Sequence, residues 1–371
     1  MEQLISTISE ASSSVATAAM EVKKGYDVAF PHLGIFIKTL RNNISFKNPF
    51  ISGQYIRIAF YGIIIALAMF IAFMISVHVA KKTKQNDEDY LDLFILTVIF
   101  GVIGARIYYV IFNFSYYQLR PYKILAINEG GLAIFGGIIA AFIVLAIFCF
   151  RRRLRFFQVA DTAIIGLPLA QAMGRFGNFF NMEAFGRYTD NIFAMRMRYE
   201  MVDQDYVDMS MIMNKITEDG VDYVQAHPTF LYESFGTLLT FIIILIILKR
   251  CKKFNGQILA TYLIGYGIVR FLVEGLRTDS LMLFGTKIRV SQAVAIICFV
   301  IGLLMYIYNL TPLKTTINAK VANTKLFKDI VADMKEADKK KKKKQEEKEK
   351  LRLEKERAKE KAQEMMEKGD I

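Results

Sequence analysis

The sequence predicts an all-α, polytopic membrane bundle of about seven helices, with its N-terminus outside and its C-terminus in the cytoplasm. Three observations predict it. Seven apolar runs are each long enough to cross lipid, which takes about 20 residues per helix. Hydrophobic residues make up 54% of the 371 residues and the mean hydropathy is +0.30, whereas a soluble domain averages ~45–50% apolar. The turns that follow the first, third and fifth runs are short and dense in Lys and Arg. Together these exclude a soluble enzyme, a disordered chain and a disulfide scaffold. Lys and Arg number 48 against 35 Asp and Glu, a net charge of +13. Many of those charges sit in one tail, so the rest of the chain is poorer in charge than its 22% average.

The elements follow in order. Residues 1–27 are polar and small, without the basic and then apolar regions of a secretory signal. Residues 30–40, FPHLGIFIKTL, predict a short interfacial helix on the outer surface. Spans are expected at 55–79, 91–112, 131–150, 158–180, 228–249, 256–275 and 289–309. Gly166, Pro168, Gly174 and Gly177 interrupt the fourth. Such breakers are tolerated at membrane depth where the backbone is buried in protein or lines a polar cavity. Span four is therefore the candidate for the working part. The turns KKTK (81–84), RRRLR (151–155) and KRCKK (249–253) carry the positive charge, and the long connection 181–227 has little for its length. The positive-inside rule places those three turns in the cytoplasm.

From about 313 the chain changes character. Residues 339–344 are six consecutive lysines, and alternating Glu and Lys continue to 368. Such runs stay solvated and cannot build a core. Near a cytoplasmic membrane face they are drawn to anionic lipids. The same charge also suits RNA or ribosome attachment, although nucleic acid is not an expected partner. Cys149, Cys251 and Cys298 lie far apart and form neither a metal spacing nor a disulfide framework. His32, His78 and His227 are too scattered for a metal cluster.

A charge inside a bilayer costs at least ~2.5–3.5 kcal/mol, so each such residue asks for a reason. Six polar clusters fall at span ends. They are Arg57 with Tyr61; Arg106; Glu129 with Gly130 and Gly131; Arg175 with Asn178 and Asn181; His227 with Tyr232 and Glu233; and Arg270 with Glu274 and Arg277. The topology rests on loop charges alone, yet all six fall on the outer face. Arg270, Glu274 and Arg277 share one helix face by spacing, and so do Arg175 and Asn178 if that stretch is helical. Arginines converging near the outer leaflet, oriented by carboxylates, suit an anionic phosphate, which arginine binds bidentately. The competing reading is structural: arginines at helix ends snorkel to headgroups, and Arg–Glu pairs hold helices together.

Residues 174–186 read GRFGNFFNMEAFG. This resembles the signature G-R-x-G-N-F-x-N-x-E-x-x-G of the bacterial prolipoprotein diacylglyceryl transferases, with every fixed position filled. Further segments resemble the family in its order: IAFYGIIIA (58–66), GARIYYVIF (104–112), GGLAIFGG (130–137), HPTFLYES (227–234) and YGIVRFLVEGLRTD (266–279). The resemblance covers roughly 28–312. The expected parts are thus a polar extension 1–27, a membrane transferase domain 28–312 and a cytoplasmic tail 313–371. One position departs. Members with a histidine in the span-three motif carry it where this chain has Phe135. Phenylalanine accepts no proton, so a mechanism with that histidine as general base fails here.

The resemblance implies a reaction in the bacterial cell membrane. The diacylglyceryl group of phosphatidylglycerol moves to the lipobox cysteine thiol of a prolipoprotein, a thioether forms and glycerol-1-phosphate leaves. Phosphatidylglycerol, lipobox segments and membrane lipids are the implied partners, with no cofactor and no metal. Arg175 and Arg270 are expected as a phosphate clamp, with Asn178 and Asn181 orienting the glycerol. Glu183, Glu233 and Glu274 would fix arginines or take the thiol proton. Tyr61 and Tyr266 are further donors. Arg106, Gly186, His227 and Arg277 complete the expected lipid-binding set. Gly174, Gly177 and Gly186 permit tight turns, close lipid approach or helix packing. The alternatives are a transporter or flippase for an anionic lipid or solute, and a non-catalytic lipid-binding protein. Transporters usually show internal repeats and a midplane site, and no repeat is visible here.

Overall fold

The computed structural model describes residues 25–47, 55–127, 130–280, 282 and 288–310, and ten residues between 336 and 354. The chain divides into two units, Met1–Tyr306 and Ile307–Ile371. In the second, the described residues beyond 335 are helical and exposed. The expected extension up to residue 24, Glu129 and most of the lysine-rich tail lie outside the described residues.

Among the described residues, seven segments are long and apolar enough to cross a membrane. They are α1 (Phe60–Lys82), α2 (Asp87–Phe112), α3 (Ile134–Arg152), the pair α4 (Phe156–Ile164) and α5 (Leu167–Phe180), α6 (Thr229–Ile246, continued by a π turn to Cys251), α7 (Gln257–Glu274) and α8 (Val290–Leu310). The protein is a multi-pass membrane protein. Charges finish the helices as the helix dipole favours. Lys81 and Lys82 close α1, Asp87, Glu88 and Asp89 open α2, and Arg151 and Arg152 close α3. Only 11% of the central apolar stretch of α2 and of α8 is buried in protein, against 44% for α4–α5. The span interrupted by Gly and Pro is thus the most enclosed one, and Pro168 sits in the first turn of α5, where a missing N–H costs nothing.

One end of the bundle carries the three short basic connections, between α1 and α2, α3 and α4, and α6 and α7. There buried Asp161 on α4 accepts from the backbone N–H groups of Gly256 (2.8 Å) and Leu259 (3.0 Å) and pairs with Lys252 (2.9 Å). It caps α7 from a neighbouring helix.

The other end carries β structure that the sequence reading did not foresee. A five-stranded antiparallel sheet runs in the order β2-β1-β5-β7-β6, from β1 (Val28–Phe30), β2 (Ile35–Ile37), β5 (Met195–Arg198), β6 (Ile216–Glu218) and β7 (Val221–Ala226). A separate hairpin pairs β3 (Asn43–Lys47) with β4 (Tyr55–Ala59). The helix expected over 30–40 is a correction. Pro31 opens a 3-10 turn, Gly34 closes it at φ 65°, and Ile35–Ile37 returns antiparallel to Val28–Phe30. Arg57 likewise belongs to β4, opposite Ser45, rather than to the first span. The core of this end joins Val28, Met197 and Val224 of the sheet to Met182 and Phe185 after α5 and to Phe230 at the start of α6. The sheet is therefore packed directly on the segment that follows α5.

Candidate active site

The polar residues at this end form one connected cluster built from α5, α6, α7 and the loop after α7. Glu233, in the second turn of α6, is its hub. Its carboxylate lies 2.5 Å from Arg175 Nη2 of α5 and 3.2 Å from Arg270 Nη1 of α7. Arg270 Nη2 reaches Glu274 Oε2 at 2.6 Å, one turn on, and Ser291 Oγ of α8 at 3.2 Å. Arg277 Nε stands 3.9 Å from Glu274 Oε2 and chelates Asp279 at 2.9 and 2.6 Å. Glu233 and Glu274 are almost fully buried, whereas the Arg175 side chain keeps 26% of its exposure. Three guanidiniums are thus held by three carboxylates, and Arg175 is the most exposed of the three. Burial opposes the charge on Arg277, but the Asp279 hydrogen bond and the fields of Asp279, Glu233 and Glu274 outweigh it and raise its pKa.

The signature segment supplies a second arm. Arg175 Nη1 donates to Asn178 Oδ1 (3.2 Å), and Asn178 Nδ2 donates to Glu183 Oε1 (2.8 Å). Asn181 Nδ2 reaches the same oxygen at 3.3 Å. Arg175 and Asn178 meet because α5 is helical through Phe180. The chain then turns sharply, with Met182 and Ala184 in the left-handed region at φ 51° and 59°. Such non-glycine residues are uncommon and cluster at functional sites. The fold holds them: Met182 and Phe185 are buried in the core, and the buried Thr229 hydroxyl donates to the Ala184 carbonyl.

Gly186 ties this turn to the rest. Its N–H donates to His227 O (3.0 Å), Arg187 N donates to Leu276 O (2.9 Å), and Gly186 bridges Arg277. A Cβ at Gly186 would stand 2.7 Å from His227 Cβ and 3.0 Å from Leu276 O. At Gly177 it would stand 2.6 Å from the Tyr61 ring. Both glycines are required by close packing of protein on protein. The His227 ring lies 3.3 Å from the Tyr232 hydroxyl and 3.5 Å from Asn191 Nδ2, and burial pushes its pKa below the ordinary value. Tyr266 lies one turn before Arg270 on α7 and packs its ring against Tyr262.

The structure thus brings together Arg175, Asn178, Asn181, Glu183, Glu233, Arg270, Glu274 and Arg277, with Gly186 and His227 alongside. Tyr61 is linked through its contact with Gly177. Arg106 is different. Its guanidinium donates to five backbone carbonyls, of Lys123, Ile124, Ala126, Gly130 and Gly131, at 2.6–3.3 Å. It ties the α2–α3 connection together, and among the described residues no hydrogen bond or ion pair joins it to the cluster. Phe135 packs near Tyr108, with ring centroids 6.5 Å apart. Sequence reasoning did not single out Ser291 and Asp279. Asp279 could have been found from its place two residues after Arg277.

Residues 50–308 match the family described as "Prolipoprotein diacylglyceryl transferase". Curated relatives named phosphatidylglycerol–prolipoprotein diacylglyceryl transferase are similar across the bundle. The protein of Finegoldia magna is 40% identical over 252 residues, 68% of this chain and 91% of the relative. That of Lactobacillus acidophilus is 43% identical over 252 residues, 68% and 85% of the two chains. That of Clostridioides difficile is 38% identical over 253 residues, 68% and 91%. With its bundle and signature cluster inside the matched region, the chain belongs to the prolipoprotein diacylglyceryl transferase family.

Proposed function

We propose that this protein transfers the diacylglyceryl group of phosphatidylglycerol to the lipobox cysteine of prolipoproteins. The observation that carries the reading is the Arg175–Glu233–Arg270 bridge, beside a complete family signature at a membrane-helix end. The thiolate is the nucleophile and attacks the glycerol carbon that bears the phosphate. A thioether forms, the carbon–oxygen bond breaks, and glycerol-1-phosphate leaves with an extra charge developing on its phosphate. Donors placed on developing charge act as an electrostatic hole. Arg175 and Arg270 supply them, with Glu233 fixing both and Glu274 fixing Arg270 and Arg277. Each guanidinium carries five N–H donors, so pairing with carboxylates leaves others for phosphate oxygens. Asn178 and Asn181 orient the glycerol hydroxyls. Tyr61 and Tyr266 add donors, and Gly186 with His227 anchors the turn that carries Glu183. Arg106 acts through the loop it ties.

The site faces the outside of a bacterial cell membrane in this reading, because the opposite end carries the basic connections. The tail from 313 then lies in the cytoplasm. The transporter alternative gains nothing from the relatives, whose names are those of transferases. The testing experiment is incubation with phosphatidylglycerol and a lipobox peptide. The peptide should gain the mass of one diacylglyceryl group, and an unchanged peptide with intact lipid would overturn the assignment.

A further inference from the structure

The transferase reading needs a group to take the thiol proton, and three carboxylates compete for that role. Two are committed. Glu233 faces Arg175 and Arg270, and Glu274 faces Arg270 and Arg277. Moving a proton onto either would break two buried ion pairs at once, which is costly. It would also release the arginines that the leaving phosphate needs.

Glu183 is placed otherwise. Its Oε1 accepts only from the neutral amides of Asn178 and Asn181, at 2.8 and 3.3 Å. Among the described residues no cation pairs with it and no donor reaches Oε2. It is half-buried rather than sealed. Its direction is not left to chance. The left-handed residues Met182 and Ala184 flank it, and the Glu183 N–H returns to Asn178 O at 3.1 Å. Asn178 joins it to Arg175, so the carboxylate with an unengaged oxygen and the most exposed arginine of the cluster share one amide. Phe135 leaves the span-three motif without a proton acceptor.

We propose that Glu183 is the general base of the transfer. This rests on the transferase reading above. Glu183 Oε2 takes the proton as the thiol S–H bond breaks. The sulfur electron pair forms the bond to the glycerol carbon, and the carbon–oxygen bond pair leaves on glycerol-1-phosphate. The proton then passes from Glu183 to the phosphate monoester or to water, and the carboxylate is restored. No oxidant or reductant is involved.

The test compares two lipobox peptides, one with cysteine and one with selenocysteine at the acceptor position. A selenol is ionised at neutral pH and needs no base. Glu183→Gln should lose on the order of 10²–10⁴-fold in rate with the cysteine peptide, the usual share of general-base catalysis. With the selenocysteine peptide it should stay within about tenfold of wild type, because base catalysis is the step removed. Glu183→Asp should show the same selenol preference more weakly, and it serves if the glutamine variant folds poorly. Arg270→Lys should be slow with both peptides. Equal slowing of Glu183→Gln and Glu183→Asp with both peptides would make Glu183 a positioning residue only. A selenol-rescued loss in His227→Gln, but not in the Glu183 variants, would move the base to His227. A wild-type enzyme inert toward both peptides would overturn the transferase reading itself.

Discussion

Glu233 Oε1 lies 2.5 Å from Arg175 Nη2, and its other oxygen lies 3.2 Å from Arg270 Nη1. One buried carboxylate from α6 therefore sets the spacing of two arginines on α5 and α7. Those helices leave the membrane at the same end, and nothing in their own sequences fixes the distance between the guanidiniums.

Glu233→Gln should damage both the fold and the chemistry. Removing one partner of a buried ion pair costs about 3–5 kcal/mol, and here Arg175 loses its carboxylate partner while Arg270 is left with Glu274 alone. Thermal unfolding in detergent should show a lowered Tm, and initial rates should fall steeply in the fraction that remains folded. A variant with wild-type Tm and rate would remove Glu233 from its place as hub.

Gly186→Ala should be destabilising and slow. The added methyl would stand 2.7 Å from His227 Cβ and 3.0 Å from the Leu276 carbonyl. The strand-like contact to Arg277 would have to open. Overpacking of this kind costs about 1–3 kcal/mol. A Tm within error of wild type, with normal turnover, would show that this segment can shift freely.

His227 predicts a pH dependence of stability. Burial holds its folded pKa below the ordinary value of about 6.5. The unfolded chain therefore binds more protons at this ring as pH falls past that value. The stability it contributes is present above about pH 6.5 and is lost as pH falls through the depressed folded value. Tm should decline on acidification below about pH 6.5, and less steeply in His227→Gln. Identical slopes would show that the ring titrates the same way folded and unfolded.

The local part of this site was legible in the sequence, and the long-range part was not. Arg270 with Glu274, and Arg175 with Asn178, follow from helical spacing alone, and both contacts are present. Glu233 bridging two other helices needs the tertiary fold. Arg106 looked equivalent to the other span-end arginines, because a sequence does not show which backbone carbonyls a loop will turn toward a guanidinium. Residues 30–40 looked helical because a short apolar run does not distinguish helix from strand. Its strand, Ile35–Ile37, pairs with Val28–Phe30, which in turn pairs with Met195–Arg198 far along the chain. The spans were legible because lipid imposes length and apolarity on each segment separately.

The orientation should be testable by single-cysteine labelling from outside the cell. Positions within 190–220, which lie in or beside the sheet, should react with an impermeant reagent, and positions within 340–360 should not. The motive is the crowding of Lys and Arg at the opposite end of the bundle. Reaction of the tail would invert the site to the cytoplasmic face.

The most direct measurement is the rate and lipid affinity of Arg175→Lys and Arg270→Lys, each matched to wild type in thermal stability. Lysine keeps the charge but loses the planar fork that holds two phosphate oxygens at once. If the two arginines act on charge developing on the leaving phosphate, turnover should fall by roughly 10²–10³-fold, the cost of losing one such donor. Affinity for phosphatidylglycerol should fall much less. Near-normal turnover in both folded variants would contradict the account and leave Arg175 and Arg270 as anchors between helices.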